Sequence, residues 1–318
     1  MLMRFDVAIL DGNHFAWRAA YVLDLRTKGG KNTSILFGVL NMVRSILEND
    51  AIDESICICW DGGHKKKDEA YPDYKKGRVR NEAAYSEMIQ QIRELNKALP
   101  FFGVKQVQGS IEADDAIYFL CEDLSSKGKK VLVISGDRDM FQLVNQNVTV
   151  LYTPNKDKYI TPENFEEVAE IPSNLFLFYR TIIGDTSDNI TGLPGFGPVT
   201  AKRLLTNFGP WPDWFEDNWR INEKILSSKM SNAQRKVLSD SSSLEILVRN
   251  YSLMKMGFLD IGVKEEIVNS FYSQDPEFNE EVIKEYFLEN QFNNFLNRFH
   301  WFTRPFHKLF LNSHNRSF

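Results

Sequence analysis

Short apolar runs alternate with helical periodicity through the first half of this chain, and the alternation stops about halfway along. "FDVAIL" (5–10), "SICICW" (55–60), "VKQV" (104–107), "VLVIS" (131–135) and "VTVLY" (148–152) have the length and β-branched content of strands. Apolar positions at helical spacing fill roughly 33–49, 81–98 and 112–126, with Asn81 able to cap the second and Pro100 to end it. Strands alternating with helices predict a parallel sheet covered on both faces. After about residue 160 no further strand is expected. "TPENFEEVAE" predicts a helix opened by a cap with proline at its first position, and helices then run to the end. The pattern therefore predicts an α/β domain over 1–180, a helical region over 181–265 and a helical extension over 266–318. "SDSSSLE" (239–245) is too short for a linker and predicts a surface turn or cap.

Composition changes this picture little. The chain has 318 residues, 43% hydrophobic and 25% charged, which is ample for a core. No apolar run reaches the length of a bilayer, and the opening "MLMRFDVAILDGN" predicts a strand rather than a signal peptide. Cys57, Cys59 and Cys121 form no CxxC pair and predict buried, reduced thiols, so the expected setting is cytoplasmic, without a membrane.

Charge matters more by where it lies than by its sum. The formal net charge of −5 argues mildly against a pure nucleic-acid binder. Yet from Gly63 to Arg80 seven basic residues meet three acids, a local balance of +4. From Asn290 to Phe318 there is no acid, while Arg298, Arg304, Lys308 and Arg316 are basic. The negative charge must be concentrated elsewhere.

It is concentrated after the strands. In an open α/β sheet, ligands bind beyond the carboxyl ends of the strands. There the chain places Asp11, Asp61, the group Glu112, Asp114 and Asp115, and the pair Asp137 and Asp139. Each acid alone reads as a turn or a helix cap. Gathered, they cost too much: two carboxylates about 4 Å apart repel by roughly 4 kcal/mol at an effective dielectric of 20. An oxygen-only donor set suits Mg²⁺ or Mn²⁺, and the absence of His and Cys at these positions argues against zinc. Two divalent ions on shared carboxylates are an established device of phosphoryl chemistry.

"GDTSDNITGLPGFGPVTAKRLL" (184–205) adds two acids, Asp185 and Asp188, directly before a glycine hairpin. Gly192, Gly195 and Gly197 permit a tight turn with exposed amides, and Pro198 fits a first helical position ahead of Thr200, Lys202 and Arg203. No strand precedes the glycines and no Gly-Lys-Ser/Thr follows, so neither a dinucleotide fingerprint nor a P-loop fits. A helix–hairpin–helix gripping a nucleic-acid backbone fits better; a plain corner between helices is the alternative.

"LDGNHFAWRA", "WDGGHKKKDEAYPDYKKGR", "IEADDAIYFL", "SGDRDMFQLV" and "GDTSDNITGLPGFGPVTAKRLLTNFG" occur in the order found in a known family and span 7–209. The chain resembles the 5′-nucleases: flap endonucleases, bacteriophage 5′–3′ exonucleases and the 5′-nuclease domain of bacterial DNA polymerase I. "RNYSLMKM" (249–256) resembles the segment closing that family's helical region. The resemblance implies a PIN-like parallel-sheet nuclease domain with a helical arch at about 64–100, followed by a helix–hairpin–helix region. It implies structure-specific 5′–3′ exonuclease and 5′-flap endonuclease activity by two metal ions, including removal of RNA primers, in DNA replication or repair. One Mg²⁺ position would be built around Asp11, Asp61, Glu112 and Asp114, with Asp115 beside it, and a second around Asp137, Asp139, Asp185 and Asp188. Mn²⁺ would substitute, and a K⁺ ion would sit at the helix–hairpin–helix.

In the arch, Tyr74, Lys75 and Arg78 would face the 5′ strand and the scissile phosphate, with Lys76 among the DNA-binding residues. Lys67 stands where family members often carry arginine, which would remove a bidentate grip on phosphate. Gly195, Gly197, Thr200, Lys202 and Arg203 would hold a duplex phosphate. The implied partner is branched or nicked DNA with a free 5′ end, or an RNA–DNA hybrid, met by a monomer in a bacterial or phage-infected cell.

Two other classes compete. A non-catalytic binder with this pattern would lack key acids, and none is missing. A phosphatase would place an Asp-x-Asp pair after the first strand, where "LDGN" has only Asp11. From about 265 the resemblance weakens. Residues 278–300 predict an amphipathic helix docked on the core, while the aromatic and basic 301–318 leave open stacking on single strands or contact with a replication protein.

Overall fold

The structure, a computed structural model of the chain, describes residues 3–78, 81–154, 157–216 and 220–315. Arg80 and Arg316, both counted in the basic segments above, lie outside the described residues, as do residues 317 and 318 of the tail. The chain forms two compact units: one from Met1–Gly63, Arg80–Tyr159 and Gly262–Phe318, the other from His64–Val79 and Ile160–Ile261.

The first unit is built on a six-stranded sheet. Its strands are β1 (Arg4–Asp11), β2 (Ala51–Trp60), β3 (Val104–Gln108), β4 (Val131–Ser135), β5 (Val148–Tyr152) and β6 (Lys158–Ile160), in the order β3-β2-β1-β4-β5-β6. The pairs β1–β2, β1–β4, β2–β3 and β4–β5 are parallel. Every residue of β4 is buried, as is the whole Ile56–Trp60 half of β2, which is why these runs are apolar throughout rather than alternating. Strand order reverses between β1 and β4. A crevice at the carboxyl ends of those two strands is the expected ligand position.

The helices Ser34–Asn49, Glu82–Ala98 and Ala113–Ser126 form where their periodicity predicts. Asn81 caps the second by accepting the Ala84 amide. One helix was not anticipated: Gly12–Val22 starts directly after β1. Its signal is a cap lying inside the strand motif, since the Asp11 carboxylate accepts the His14 amide at 3.0 Å.

The extension from 262 returns to this unit. The helices Glu280–Glu289, Asn293–Asn297 and Phe299–Asn315 replace the single helix expected over 278–300. Phe287, Phe295, Phe299, Phe302 and Phe306 join Leu36, Leu40 and Phe102 in one core cluster. Phe302 and Phe306 are fully buried, so they are not available to stack on nucleic acid. Cys57, Cys59 and Cys121 are buried and free, as expected. Among the described residues no helix is long and apolar enough to cross a membrane.

The second unit is largely helical. Its main helices are Ser173–Ile183, Pro198–Phe208, Asn232–Ser239 and Ser241–Met254, the last capped by Asp240 within the serine-rich stretch. Two expectations need correction. The 161–170 helix begins only at Phe165, because the Asn164 side chain accepts the Thr161 amide at 2.9 Å and closes "TPEN" as a turn, with Pro162 inside it. Strands also do not end at 160: β7 (Gly184–Asp185) and β8 (Ile190–Thr191) pair antiparallel. The basic segment 64–79 carries the helix Lys65–Ala70, and its Tyr74 is buried in a small core with Ile190, Leu253 and Met254.

Candidate metal centre and nucleic-acid interface

Four parallel strands of the first unit deliver acids to one edge of the sheet. Asp11 ends β1 and is buried, 7% exposed. Its Oδ1 accepts the His14 amide, and its Oδ2 accepts the Ser135 hydroxyl at 2.9 Å. The same Ser135 oxygen accepts the Asp137 amide at 3.1 Å, and Asp137 Oδ1 accepts the Asp139 amide at 2.7 Å. One serine therefore ties the end of β1 to the turn after β4.

Asp61 follows β2. Its amide donates to Asn13 Oδ1 at 3.1 Å, and its own Oδ1 accepts the Ala113 amide at 2.9 Å. That contact joins Asp61 to the first turn of the helix carrying Asp114 and Asp115, with Glu112 at its N-cap. Glu112 and Asp115 are buried. Glycines allow the loops to come this close. A Cβ at Gly62 would lie 1.6 Å from the Gly109 carbonyl oxygen, and one at Gly136 would lie 2.2 Å from the His14 ring.

The acids feel one another. Burial, with Asp61 and Asp137 nearby, pushes Asp11 up to about 6 against the opposing hydrogen bonds from His14 and Ser135. Burial raises Asp114 well above the usual carboxylate range, and Asp137, Asp11, Glu112 and Asp61 each add to it. Five carboxylates within electrostatic reach fit a multiply charged, oxygen-preferring cation, which would relieve the repulsion that raises them. Among the described residues no group of three or more acids, histidines or cysteines is arranged to hold a metal ion as it stands; Asp11 is held instead by His14 and Ser135, and Asp61 by the Ala113 amide.

In the second unit, Asp185 Oδ1 accepts the Ser187 amide and hydroxyl, both at 2.7 Å, and Oδ2 accepts Arg180 at 2.6 Å. Burial alone would raise this carboxyl, but Ser187 and Arg180 outweigh it and hold it below its ordinary value. Asp188 gathers the residues read as the arch. Tyr74 donates its hydroxyl at 3.1 Å, Arg78 forms an ion pair, and Lys75 Nζ lies at 3.8 Å. Lys67 is buried, 6.0 Å from the centre of the Tyr74 ring. Lys76 is exposed and pairs with Asp73 at 3.1 Å.

The hairpin glycines divide their roles. Gly195 alone of the three has a left-handed backbone, φ +78°, and its carbonyl accepts Gln234 Nε2 at 2.8 Å. Gly192 is a close approach: a Cβ there would lie 2.4 Å from the Ile182 carbonyl oxygen. Gly197 needs no positive φ. It is extended, at φ −87° and ψ 179°, with open space around its Cβ position, and it caps the helix Pro198–Phe208. On that helix Thr200 is half-buried, Lys202 Nζ pairs with Glu170 at 2.5 Å, and Arg203 donates to the Lys229 carbonyl.

Sequence reading missed the residues that position these acids: Ser135, Asn13, Arg180 and the fully buried Asn250. Asn250 Nδ2 donates to the Thr181 and Thr191 carbonyls, each at 2.9 Å. Ser135 carried a signal, a hydroxyl two residues before a strand-end aspartate. Asn250 carried no local signal beyond its place in "RNYSLMKM".

The family model for the 5′-3′ exonuclease N-terminal resolvase-like domain matches residues 6–170. A 5′-3′ exonuclease of Buchnera aphidicola (subspecies Acyrthosiphon pisum) is 28% identical over 92% of this chain and 96% of its own length. The Aquifex aeolicus 5′-3′ exonuclease is 34% identical over 63% of this chain and 69% of its own. DNA polymerase I of Mycobacterium tuberculosis is 32% identical over 63% of this chain, which spans only 23% of that enzyme. Among solved structures, a T5 5′-exonuclease with bound zinc superposes with a TM-score of 0.63 at 17% identity, covering 95% of this chain and 98% of the other. The catalytic core of Rad2 with a DNA substrate gives 0.52 at 17% identity, covering 88% and 92%. At that identity the structural likeness speaks for the fold.

Proposed function

The chain belongs to the 5′-3′ exonuclease family, and from that membership we propose that it is a structure-specific 5′-nuclease, hydrolysing phosphodiesters close to free 5′ ends in DNA replication or repair. The observation that carries the proposal is the electrostatic cluster at the switch point of the sheet. Asp11, Asp61, Glu112, Asp114 and Asp137 converge there, and burial plus mutual repulsion raises Asp114. A binding module gains nothing from that cost, whereas a site for divalent cations requires it.

Asp11, Asp61, Glu112 and Asp114 would hold one Mg²⁺ or Mn²⁺, with Asp115 beside them. Asp137 and Asp139 are ligand candidates for a second; Asp185 and Asp188 are assigned as ligands on the family resemblance alone. Divalent ions so bound supply an activated water and neutralise charge on the leaving oxygen. The chain's own residues do the rest. Ser135 fixes the Asp11 carboxylate and the Asp137 amide together, so the two strand ends move as one. The Ala113 amide holds Asp61 against the Glu112–Asp115 turn.

Lys75, Arg78 and Tyr74 are assigned to the 5′ strand and the scissile phosphate. They now occupy Asp188, so binding a phosphate exchanges one anion for another. Lys67, being buried, is assigned to supporting Tyr74 rather than to direct phosphate contact. The hairpin amides at Gly195 and Gly197, with Thr200, Lys202, Arg203 and Lys76, are assigned to the duplex backbone; a K⁺ ion at the hairpin belongs to this reading.

The test is cleavage of a 5′-flap, a nicked duplex and an RNA-primed strand by the wild type and Asp137→Ala. Wild type cuts with Mg²⁺ or Mn²⁺ and not with Ca²⁺ alone. Asp137→Ala binds the same substrates with little loss and does not cut them. Near-normal turnover by Asp137→Ala would refute the metal assignment.

A further inference from the structure

At the start of β3, away from the acidic edge, the first unit has a small apolar pocket with a charged rim. The helix Glu82–Ala98 runs through Phe101 and Phe102 into β3, and the helix Glu280–Glu289 packs beside that turn. The cavity has about 230 Å³. Its walls come from Phe101, Phe102, Val282 and Ile283, and Tyr286 also lines it. This is below the roughly 300–1,000 Å³ typical of small-molecule and cofactor sites. It is room for one apolar side chain, the kind of pocket an interface anchor fills.

Two independent features mark it as more than a packing gap. The Tyr286 side chain is nine-tenths buried, yet its hydroxyl has no hydrogen-bond partner. A buried polar group left unpaired is destabilising, and phenylalanine at this position would avoid that cost. Burial pushes the phenol up, and Glu94 and Glu289 add to it. The rim is also acidic: Glu94, Glu285 and Glu289 surround the opening against a single Lys97. Glu94 is partly neutralised by Lys31, while Glu285 and Glu289 are exposed on one face of their helix, four residues apart. Like charges at that spacing destabilise a helix slightly and, against Lys97 alone, leave a net negative rim over an apolar hole.

We infer that this pocket docks a basic segment of a partner protein, which inserts one apolar side chain between the two helices and sets its lysines or arginines against Glu285 and Glu289. The segment's backbone carbonyl accepts the Tyr286 hydroxyl, relieving the unpaired group. The pocket opens beside the first residue of β3 and the acids follow its last. The strand, Val104–Gln108, separates them by about 13 Å at 3.3 Å per residue. A partner held here leaves the acidic edge accessible.

The probe is a labelled, end-blocked pentapeptide of lysine and arginine with leucine at its centre, titrated into the full chain by fluorescence anisotropy. A peptide with glycine at the centre and one with glutamates in place of the basic residues are the controls. Burying the leucine contributes about 1.5–3 kcal/mol, so the glycine peptide binds at least about tenfold more weakly, and the acidic peptide does not bind. Glu285→Lys with Glu289→Lys abolishes binding and leaves DNA cleavage unchanged. Tyr286→Phe weakens binding several-fold while its thermal midpoint stays equal or rises, because the change removes an unpaired hydroxyl. Equal affinity for the leucine and glycine peptides would overturn the inference. So would unchanged affinity in Tyr286→Phe or in the charge-reversed variant. A concentration-dependent dimer lost in the charge-reversed variant would assign the pocket to a second copy of the chain instead.

Discussion

Asn250 offers the sharpest test of how the second unit positions its acids. It is fully buried in the helix Ser241–Met254, and its one amide nitrogen serves two carbonyls, Thr181 at the end of one helix and Thr191 in β8. Its Oδ1 in turn accepts Arg249 at 2.9 Å. Alanine at this position removes two hydrogen bonds and leaves the buried Thr181 carbonyl without this donor, while the Thr191 carbonyl keeps Arg249 Nη2 at 3.0 Å. A hydrogen bond contributes about 1 kcal/mol net, and a buried carbonyl left dry costs about 1–3 kcal/mol. Asn250→Ala should therefore lose roughly 2–4 kcal/mol. Asn250→Asp should be no better near pH 8, since an ionised carboxylate turns an acceptor toward two carbonyl oxygens beside Arg249. Lowering the pH restores one donor by protonation, so the aspartate variant should recover part of its stability in acid and the alanine variant should not.

The measurement is urea denaturation of all three proteins at pH 8 and pH 5, with single-turnover cleavage alongside. Asn250 clamps the hairpin that carries Asp185 and Asp188, so cleavage should fall in both variants even where most of the protein stays folded. A loss below about 0.5 kcal/mol in Asn250→Ala, or an aspartate variant as stable as wild type at pH 8, would refute the clamp.

Three further outcomes follow from the geometry. Asp11 has a folded-state value of about 6 against an ordinary 3.8, so the folded state binds a proton more readily between those values, and this group's contribution to stability falls as pH rises through that window, by at most on the order of 3 kcal/mol. Without divalent ions the thermal midpoint should drop from pH 5 to 7.5 more in wild type than in Asp11→Asn, and Mg²⁺ should restore stability at pH 7.5 more than at pH 5; equal slopes in the two proteins would refute this. Lys202→Ala should weaken binding to all duplex sequences alike and reduce the salt slope by about one, whereas Glu170→Gln, by releasing Lys202 from its partner, should strengthen binding; a salt series on one flap substrate decides both. Gly195→Ala should cost about 1 kcal/mol for its left-handed backbone, while Gly197→Ala should leave stability unchanged. Weaker DNA binding by Gly197→Ala at unchanged stability would mark a close phosphate approach at that residue.

The sequence by itself determined the central sheet, because β4 and the end of β2 are buried on both faces and can only be apolar runs. It also determined which strand ends carry acids, since each carboxylate follows its strand within a few residues, and the family motifs that lie on those ends. Local signals failed where long-range contacts decide. Nothing local says that the Ser135 hydroxyl joins Asp11 to Asp137, or that Asn250 reaches back across more than fifty residues to two carbonyls. Tertiary structure decided which glycine bears the left-handed turn, since that depends on the backbone path from Leu193 to Pro198 and not on composition. It decided the fate of the aromatic tail, whose phenylalanines are indistinguishable in sequence from a stacking surface until the sheet's apolar face claims them. It also paired the basic segment with Asp188, because a carboxylate within reach of Lys75 and Arg78 binds them whenever no phosphate competes.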